Sequence, residues 1–144
     1  MRYIPEGFLF DVAGCTLFVD EGRLLYLLGY MNSKINAYLL QLISPTLNYE
    51  VGHVGSLPII FSDKFNNEIV ELVKRNIDIC KNDWDSYENS WDFKSNPLVK
   101  KGKLQEIYEQ YKLQKEKNFD LLKNNEQRLN SIFNEIYSAN DVLN

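Results

Sequence analysis

The sequence predicts an α+β fold that is mostly helical. A small β-containing lobe is expected over residues 1–61, and long antiparallel helices over residues 62–144. Two observations support this division. The first segment contains a stretch rich in aromatic and β-branched residues, at positions 8–19, which is typical of strands. The second segment repeats its apolar residues at helical spacing over two long stretches.

The first segment is expected to contain strands on either side of one helix. Residues 8–19 predict two short strands, or one strand bent at Gly14. Apolar residues recur with a helical period over residues 23–43, which predicts one amphipathic helix. Pro45 would end this helix, because the residue before a proline is pushed out of the α region. Residues 47–54 alternate weakly and predict another short strand.

The second segment is expected to be helical. Ser62 suits the N-cap of a helix that continues to about Cys80. Residues 81–100 lack clean periodicity and predict an aromatic-rich connection. A long helical region follows over residues 103–137. Its apolar spacing weakens around residues 112–118, so the pattern fits either one long helix or two helices with a break.

The charge balance argues against a free-standing DNA-binding protein. The chain has 16 Lys and Arg residues against 20 Asp and Glu residues, a net charge of −4. No segment is positive: the basic and acidic counts are three and five over residues 1–62, six and eight over 63–100, and seven and seven over 101–144. Autonomous DNA binders usually carry a basic face. Any phosphate contact must therefore come from a local cluster.

Other classes of protein are disfavoured by the cysteines and by the hydropathy. Two cysteines and one histidine, without ligand spacing, predict no metal site. The same cysteine usage fits a reduced, cytoplasmic chain. The longest apolar stretches are interrupted by polar residues, so no membrane span and no membrane partner are expected.

Three motifs occur in order along the chain. The first is Asn32-Ser33-Lys34, followed by Leu57-Pro58-Ile59; the second is the tryptophan-rich stretch at residues 83–93; the third lies at residues 126–137. Together they resemble the C-terminal part of bacterial adenine-specific DNA methyltransferases. The resemblance holds especially for the large enzymes of the BREX phage-defence systems, the PglX type, and the chain also resembles restriction-modification enzymes of type II.

This resemblance implies that the two segments of the chain have different roles within a longer enzyme. Residues 1–61 would be the end of a target-recognition lobe, and residues 62–144 a helical spacer that docks on the catalytic methyltransferase domain of the same polypeptide. The family's Asn/Asp-Pro-Pro-Tyr/Phe motif is absent, since no two of the four prolines are adjacent. No glycine cluster matches a cofactor-binding turn. The chain alone is therefore expected to be non-catalytic and to bind no cofactor, while S-adenosylmethionine binds elsewhere in the parent enzyme.

The resemblance also implies which residues touch DNA through the parent enzyme. They are Asn32, Ser33 and Lys34, together with Asn48 and Tyr49 of the following strand. A plainer interpretation of the first three is an exposed turn of a solvated helix. A competing hypothesis is a helical interaction module that docks on the catalytic domain or on a partner without DNA contact. The negative charge and the aromatic connection favour that alternative.

The aromatic-rich connection allows two interpretations. Its acidic residues do not form a calcium loop, because Glu88 stands where such a loop needs glycine. A solvated acidic loop is the simpler explanation. Trp84, Tyr87, Trp91 and Phe93 could stack on bases or anchor a partner. Alternatively, they pin the connection onto the neighbouring helices.

Overall fold

The computed structural model describes residues 1–10, 16–44 and 50–139. The helices of this part, in chain order, are α1 (Glu21–Met31), α2 (Lys34–Ile43), α3 (Val51–Gly55), α4 (Asp63–Trp84) and α5 (Leu104–Ile136). Helix α4 packs against both α1 and α5, and α2 contacts α1, α3 and α5. None of these helices is both long enough and apolar enough to cross a membrane.

The predicted α+β class is wrong, because the described residues contain no strand. Residues 8–10 and 16–19 are irregular, and Val51–Gly55 forms a helix where a strand was expected. A local cap explains the helix: the Glu50 carboxylate accepts from the backbone of His53, and the Glu50 N–H donates to His53 Nδ1 at 3.2 Å. Alternation over a few residues carries little information unless a neighbouring strand pairs with the backbone.

The single helix predicted over residues 23–43 is instead two helices. Ser33 separates them and acts as the N-cap of α2, because its Oγ accepts from the Asn36 N–H at 3.3 Å. The apolar period continues across this break, since Met31 and Ile35 enter the same core. The sequence pattern therefore hides the change of helix direction.

One apolar core joins residues from both sides of position 61. Phe133 of α5 is fully buried at its centre and contacts the rings of Tyr26 and Tyr30, with centroids 5.7 and 5.8 Å apart. Ile69 and Val73 of α4 complete the contact with α1. The proposed division into residues 1–61 and 62–144 stays a prediction.

Helices α4 and α5 run antiparallel. Four side-chain contacts join the start of one to the end of the other: Lys64–Glu135 at 2.8 Å, Glu68–Arg128 at 2.6 Å, Asn76–Asn125 at 2.8 Å, and Asp83–Lys115. Helix α5 is continuous over 33 residues, which resolves the question of a break. Its length is about 50 Å at ~1.5 Å per residue.

The two ends of this helical pair differ in burial. The buried residues of α4 lie between Phe65 and Val73, and those of α5 between Asn125 and Phe133. We call this buried end, with α1 and α2, the head. We call residues 74–124 the arm. No residue of α4 or α5 within the arm is buried, so the arm projects from the head.

Candidate functional site

The predicted DNA-contacting triplet lies at the junction between α1 and α2, in the head. Asn32 is the C-cap residue of α1, and its side-chain Nδ2 donates to the Leu28 carbonyl at 3.0 Å. Its Oδ1 accepts from the Met1 amino group at 2.5 Å. The Asn32 side chain is exposed. Its amide therefore caps the C-terminus of α1 and is also accessible to solvent.

Ser33 has a structural place in this junction. The residue is 4% exposed, and its Oγ donates to the Tyr30 carbonyl at 2.6 Å while accepting from the Asn36 N–H. Both hydrogen bonds stay inside the protein. Ser33 thus fixes the angle between α1 and α2, and its neighbours on either side are turned outward.

Lys34 is the exposed cation of the junction. Its backbone N–H donates to Asn130 Oδ1 of α5 at 2.8 Å, which ties the start of α2 to the head. Its side chain is exposed and forms no ion pair within the described part of the chain. The ammonium group is therefore available to an anion. Asn32 and Lys34 form the exposed surface that we call the junction patch.

A buried amide supports the junction patch from below. Asn36 is 1% exposed, and its Nδ2 donates to the Met31 carbonyl at 2.9 Å. This contact links the last residue of α1 to the first turn of α2. The junction is thus held by hydrogen bonds on both sides of Ser33, and its geometry is set before any ligand arrives. Asn48 and Tyr49, the other predicted contacts, lie outside the described residues.

The Leu57-Pro58-Ile59 motif lies in the irregular segment between α3 and α4, and three tyrosines donate hydrogen bonds to this segment. Tyr137 donates to the Pro58 carbonyl at 2.5 Å, and Tyr30 donates to the same oxygen at 3.2 Å. Tyr26 donates to the Ile60 carbonyl at 2.8 Å. These hydrogen bonds therefore fix the chain between α3 and α4, and the motif offers no reactive group.

Burial changes the chemistry of these tyrosines. Desolvation by burial raises the pKa of Tyr30, and the neighbouring Tyr137 hydroxyl raises it further. Desolvation also raises the pKa of Tyr26. Both hydroxyls stay protonated and act as hydrogen-bond donors. Sequence reasoning missed this role, although two tyrosines on the apolar side of a helix are a usable signal for buried donors.

The aromatic-rich connection lies at the outer end of the arm. Trp91 is 95% exposed, Trp84 55% and Tyr87 52%. The interpretation that these rings pin the connection onto the helices therefore fails for Trp91. Lys115 of α5 lies over the Tyr87 ring, 5.6 Å from its centroid, and it also pairs with Asp83.

The acidic residues of the connection are engaged by lysines. Lys81 Nζ contacts Asp85 at 2.8 Å and Asp92 at 2.5 Å. The hydrogen bond from Lys81 lowers the pKa of Asp85, and Ser90 lowers it further. No group of three or more possible ligand side chains is arranged to hold a metal ion within residues 1–10, 16–44 and 50–139. These carboxylates thus organise the turn.

Two curated proteins are similar to almost the whole chain, whereas no protein-family model matches it. The adenine-specific methyltransferase PglX of Lacticaseibacillus casei (strain Zhang) is 34% identical over 150 residues, which covers 99% of this chain. The adenine-specific methyltransferase BrxX of Escherichia coli O9:H4 (strain HS) is 40% identical over 140 residues, which covers 94%. The chain spans 12% of the length of the first relative and 11% of the second.

Proposed function

The chain is homologous to a segment of the BREX-type adenine-specific methyltransferases, and from this premise we propose that it helps such an enzyme to hold its DNA target. The segment takes no part in the chemistry. The remainder of the enzyme binds S-adenosylmethionine and transfers the methyl group to adenine. The same proposal assigns the chain to the cytoplasm and to phage defence.

The observation that carries the DNA contact is the junction patch. Lys34 presents an ammonium group that forms no ion pair with any described residue, and the exposed Asn32 lies two positions before it in the chain. Lysine contacts to phosphate position a protein on the duplex, and amide side chains can reach base edges. Ser33 supports this surface from within, so its predicted role becomes an indirect one.

The rest of the surface limits how strong this contact can be. The net charge is −4, so long-range attraction to DNA is weak. The contact therefore depends on the local cation, and the larger enzyme strengthens it by delivering the segment to DNA. Asn48 and Tyr49, which follow in the chain, are proposed to extend the same contact.

The experiment is a titration of duplex DNA by fluorescence anisotropy at several salt concentrations. The wild-type chain is expected to bind at low salt and to weaken as salt rises, because phosphate contacts release counterions. The variant Lys34→Ala should reduce the slope of log affinity against log salt by about 1. Lys117→Ala is the matched control, since Lys117 is exposed on the arm, roughly 20 Å along α5 from Asn130.

Two results would count against the DNA role. One is a wild-type chain without salt-dependent binding. The other is a Lys34→Ala variant with the same slope as Lys117→Ala. Either result would favour the second candidate, a helical interaction module that docks on the catalytic domain. The exposed aromatic end of the arm favours that candidate.

A further inference from the structure

We propose that the end of the arm docks on the remainder of the methyltransferase polypeptide, with Trp91 seated in an apolar pocket framed by Lys and Arg residues. This proposal rests on the proposed function only in that the chain is a segment of such an enzyme. It does not require the junction patch to bind DNA. The two surfaces belong to opposite ends of the molecule.

Trp91 is almost fully exposed to solvent. Its side chain is 95% exposed, whereas tryptophan is normally among the well-buried residues. Trp84 and Tyr87 are half exposed close to it in the chain. Exposed aromatic groups of this kind mark interaction surfaces, and tryptophan is the residue most enriched among the anchors of protein interfaces.

Hydrogen bonds hold the turn around Trp91 in place. The preceding residue, Ser90, is 9% exposed, and its Oγ donates to Asp85 Oδ1 at 2.6 Å. The following residue, Asp92, donates its N–H to Ser90 Oγ at 3.1 Å and pairs with Lys81. Trp91 is thus presented on a fixed backbone, which reduces the ordering cost of binding.

The turn around Trp91 is acidic. Residues 83–92 include Asp83, Asp85, Glu88 and Asp92 and no basic residue. The neighbouring lysines Lys81, Lys94 and Lys115 offset only part of this charge. A base stacked on Trp91 would bring its phosphates towards these carboxylates, which repel them. Lys100, Lys101 and Lys103 come later in the connection, directly before α5. A pocket with a basic rim is the complementary partner for the turn itself.

The exposed aromatic area at the end of the arm is small, which favours a partner surface within the same polypeptide. Trp91 and the exposed halves of Trp84 and Tyr87 amount to about two rings, roughly 300–500 Å². Separate proteins that form stable complexes bury about 600–1,000 Å² each. A surface this small suffices when both partners belong to one polypeptide, because the tether raises their effective concentration to about the millimolar range. The chain spans only 12% of the length of its first relative, so the remainder supplies ample surface.

The test uses the intact methyltransferase that carries this segment. Replacing Trp91 by the photo-crosslinker p-benzoylphenylalanine, followed by irradiation and peptide mass spectrometry, should give crosslinks to peptides of the remainder within the same molecule. Leu113, 69% exposed on α5, is the control position and should give none. Crosslinks to a second copy, to added duplex DNA, or at no higher yield than from Leu113 would each overturn the proposal.

Hydrogen–deuterium exchange provides a second measurement. Residues 85–93 should exchange roughly tenfold more slowly in the intact enzyme than in the isolated chain, as expected if the docked state holds about nine-tenths of the population. Trp91→Ala should abolish this difference in exchange rate. The thermal midpoint of the isolated Trp91→Ala chain should equal that of the isolated wild-type chain, because the side chain is exposed. Equal exchange rates in both wild-type contexts would contradict docking. DNA binding through Lys34 could then still stand, so the two proposals fail separately.

Discussion

Gly29 allows α1 and α4 to approach closely, and replacing it by alanine should destabilise the protein. A Cβ atom at this position would lie 3.0 Å from Val73 Cγ2, 3.3 Å from Ile69 Cγ2 and 3.6 Å from Phe133 Cε2. The first two neighbours are methyl groups of β-branched residues, which have one strongly preferred rotamer in a helix. They cannot turn away, so the helices must separate slightly.

The expected magnitude follows from two opposing effects. Alanine is a better helix former than glycine by about 1 kcal/mol. Inserting a methyl group into a packed contact costs about 1–3 kcal/mol. Gly29→Ala should therefore lower the free energy of unfolding by about 1 kcal/mol, which shifts the thermal midpoint down by roughly 2–5 °C in a domain of this size.

Gly22→Ala is the matched control in the same helix. Among the described residues, no atom outside the neighbouring residues and backbone of its own helix lies within 4 Å of its added Cβ. Only the helix propensity therefore changes, and the variant should be more stable by up to about 1 kcal/mol. Urea denaturation followed by circular dichroism measures both variants, and an unchanged m-value would show that only stability differs. If Gly29→Ala stabilised the protein as much as Gly22→Ala does, the close approach of α1 and α4 would be refuted.

Three further predictions concern hydrogen bonds and one ion pair. Tyr26→Phe should lower the unfolding free energy by about 1–3 kcal/mol, because the Ile60 carbonyl and the Ser62 N–H lose their hydrogen bonds to the Tyr26 hydroxyl. An unchanged urea midpoint would contradict this. Ser33→Ala should cost about 1 kcal/mol through loss of the N-cap of α2, measured in the same way, and no loss would mean that the cap contributes nothing. The hydrogen bond from Arg128 lowers the pKa of Glu68, so this pair should stabilise the protein above the unfolded pKa of about 4.3 and lose its effect as pH falls through the folded value. Both side chains are nearly half exposed, so the effect should be at most about 1 kcal/mol, and Glu68→Gln should flatten this part of the pH–stability profile.

The sequence predicted the long helices better than the rest of the fold. The apolar stripe of α5 repeats over many turns and predicted a helical region over residues 103–137, although its weaker spacing around residues 112–118 left a break open. The segment near Val51 is too short for a periodic signal, and a capping interaction between Glu50 and His53 decides its conformation. The break at Ser33 escaped detection because the apolar period continues into the same core on both sides.

The DNA contacts of the candidate site stay a prediction, and the structure corrects the expected geometry of one residue. Asn32 and Lys34 lie at the surface, as a contact requires, whereas Ser33 is buried by its own hydrogen bonds. The outward position of Trp91 could not be predicted, because it depends on the contacts of Lys81 with Asp85 and Asp92. Ion pairs between residues up to 11 positions apart leave no periodic trace in a sequence.

The most direct test of the account is the steady-state kinetics of adenine methylation by the intact enzyme carrying Lys34→Ala, with Lys117→Ala as control. If this segment holds DNA and takes no part in the chemistry, Lys34→Ala should raise KM for DNA while KM for S-adenosylmethionine stays unchanged. A Lys34→Ala enzyme with an unchanged KM for DNA, or one that had lost affinity for S-adenosylmethionine, would contradict it.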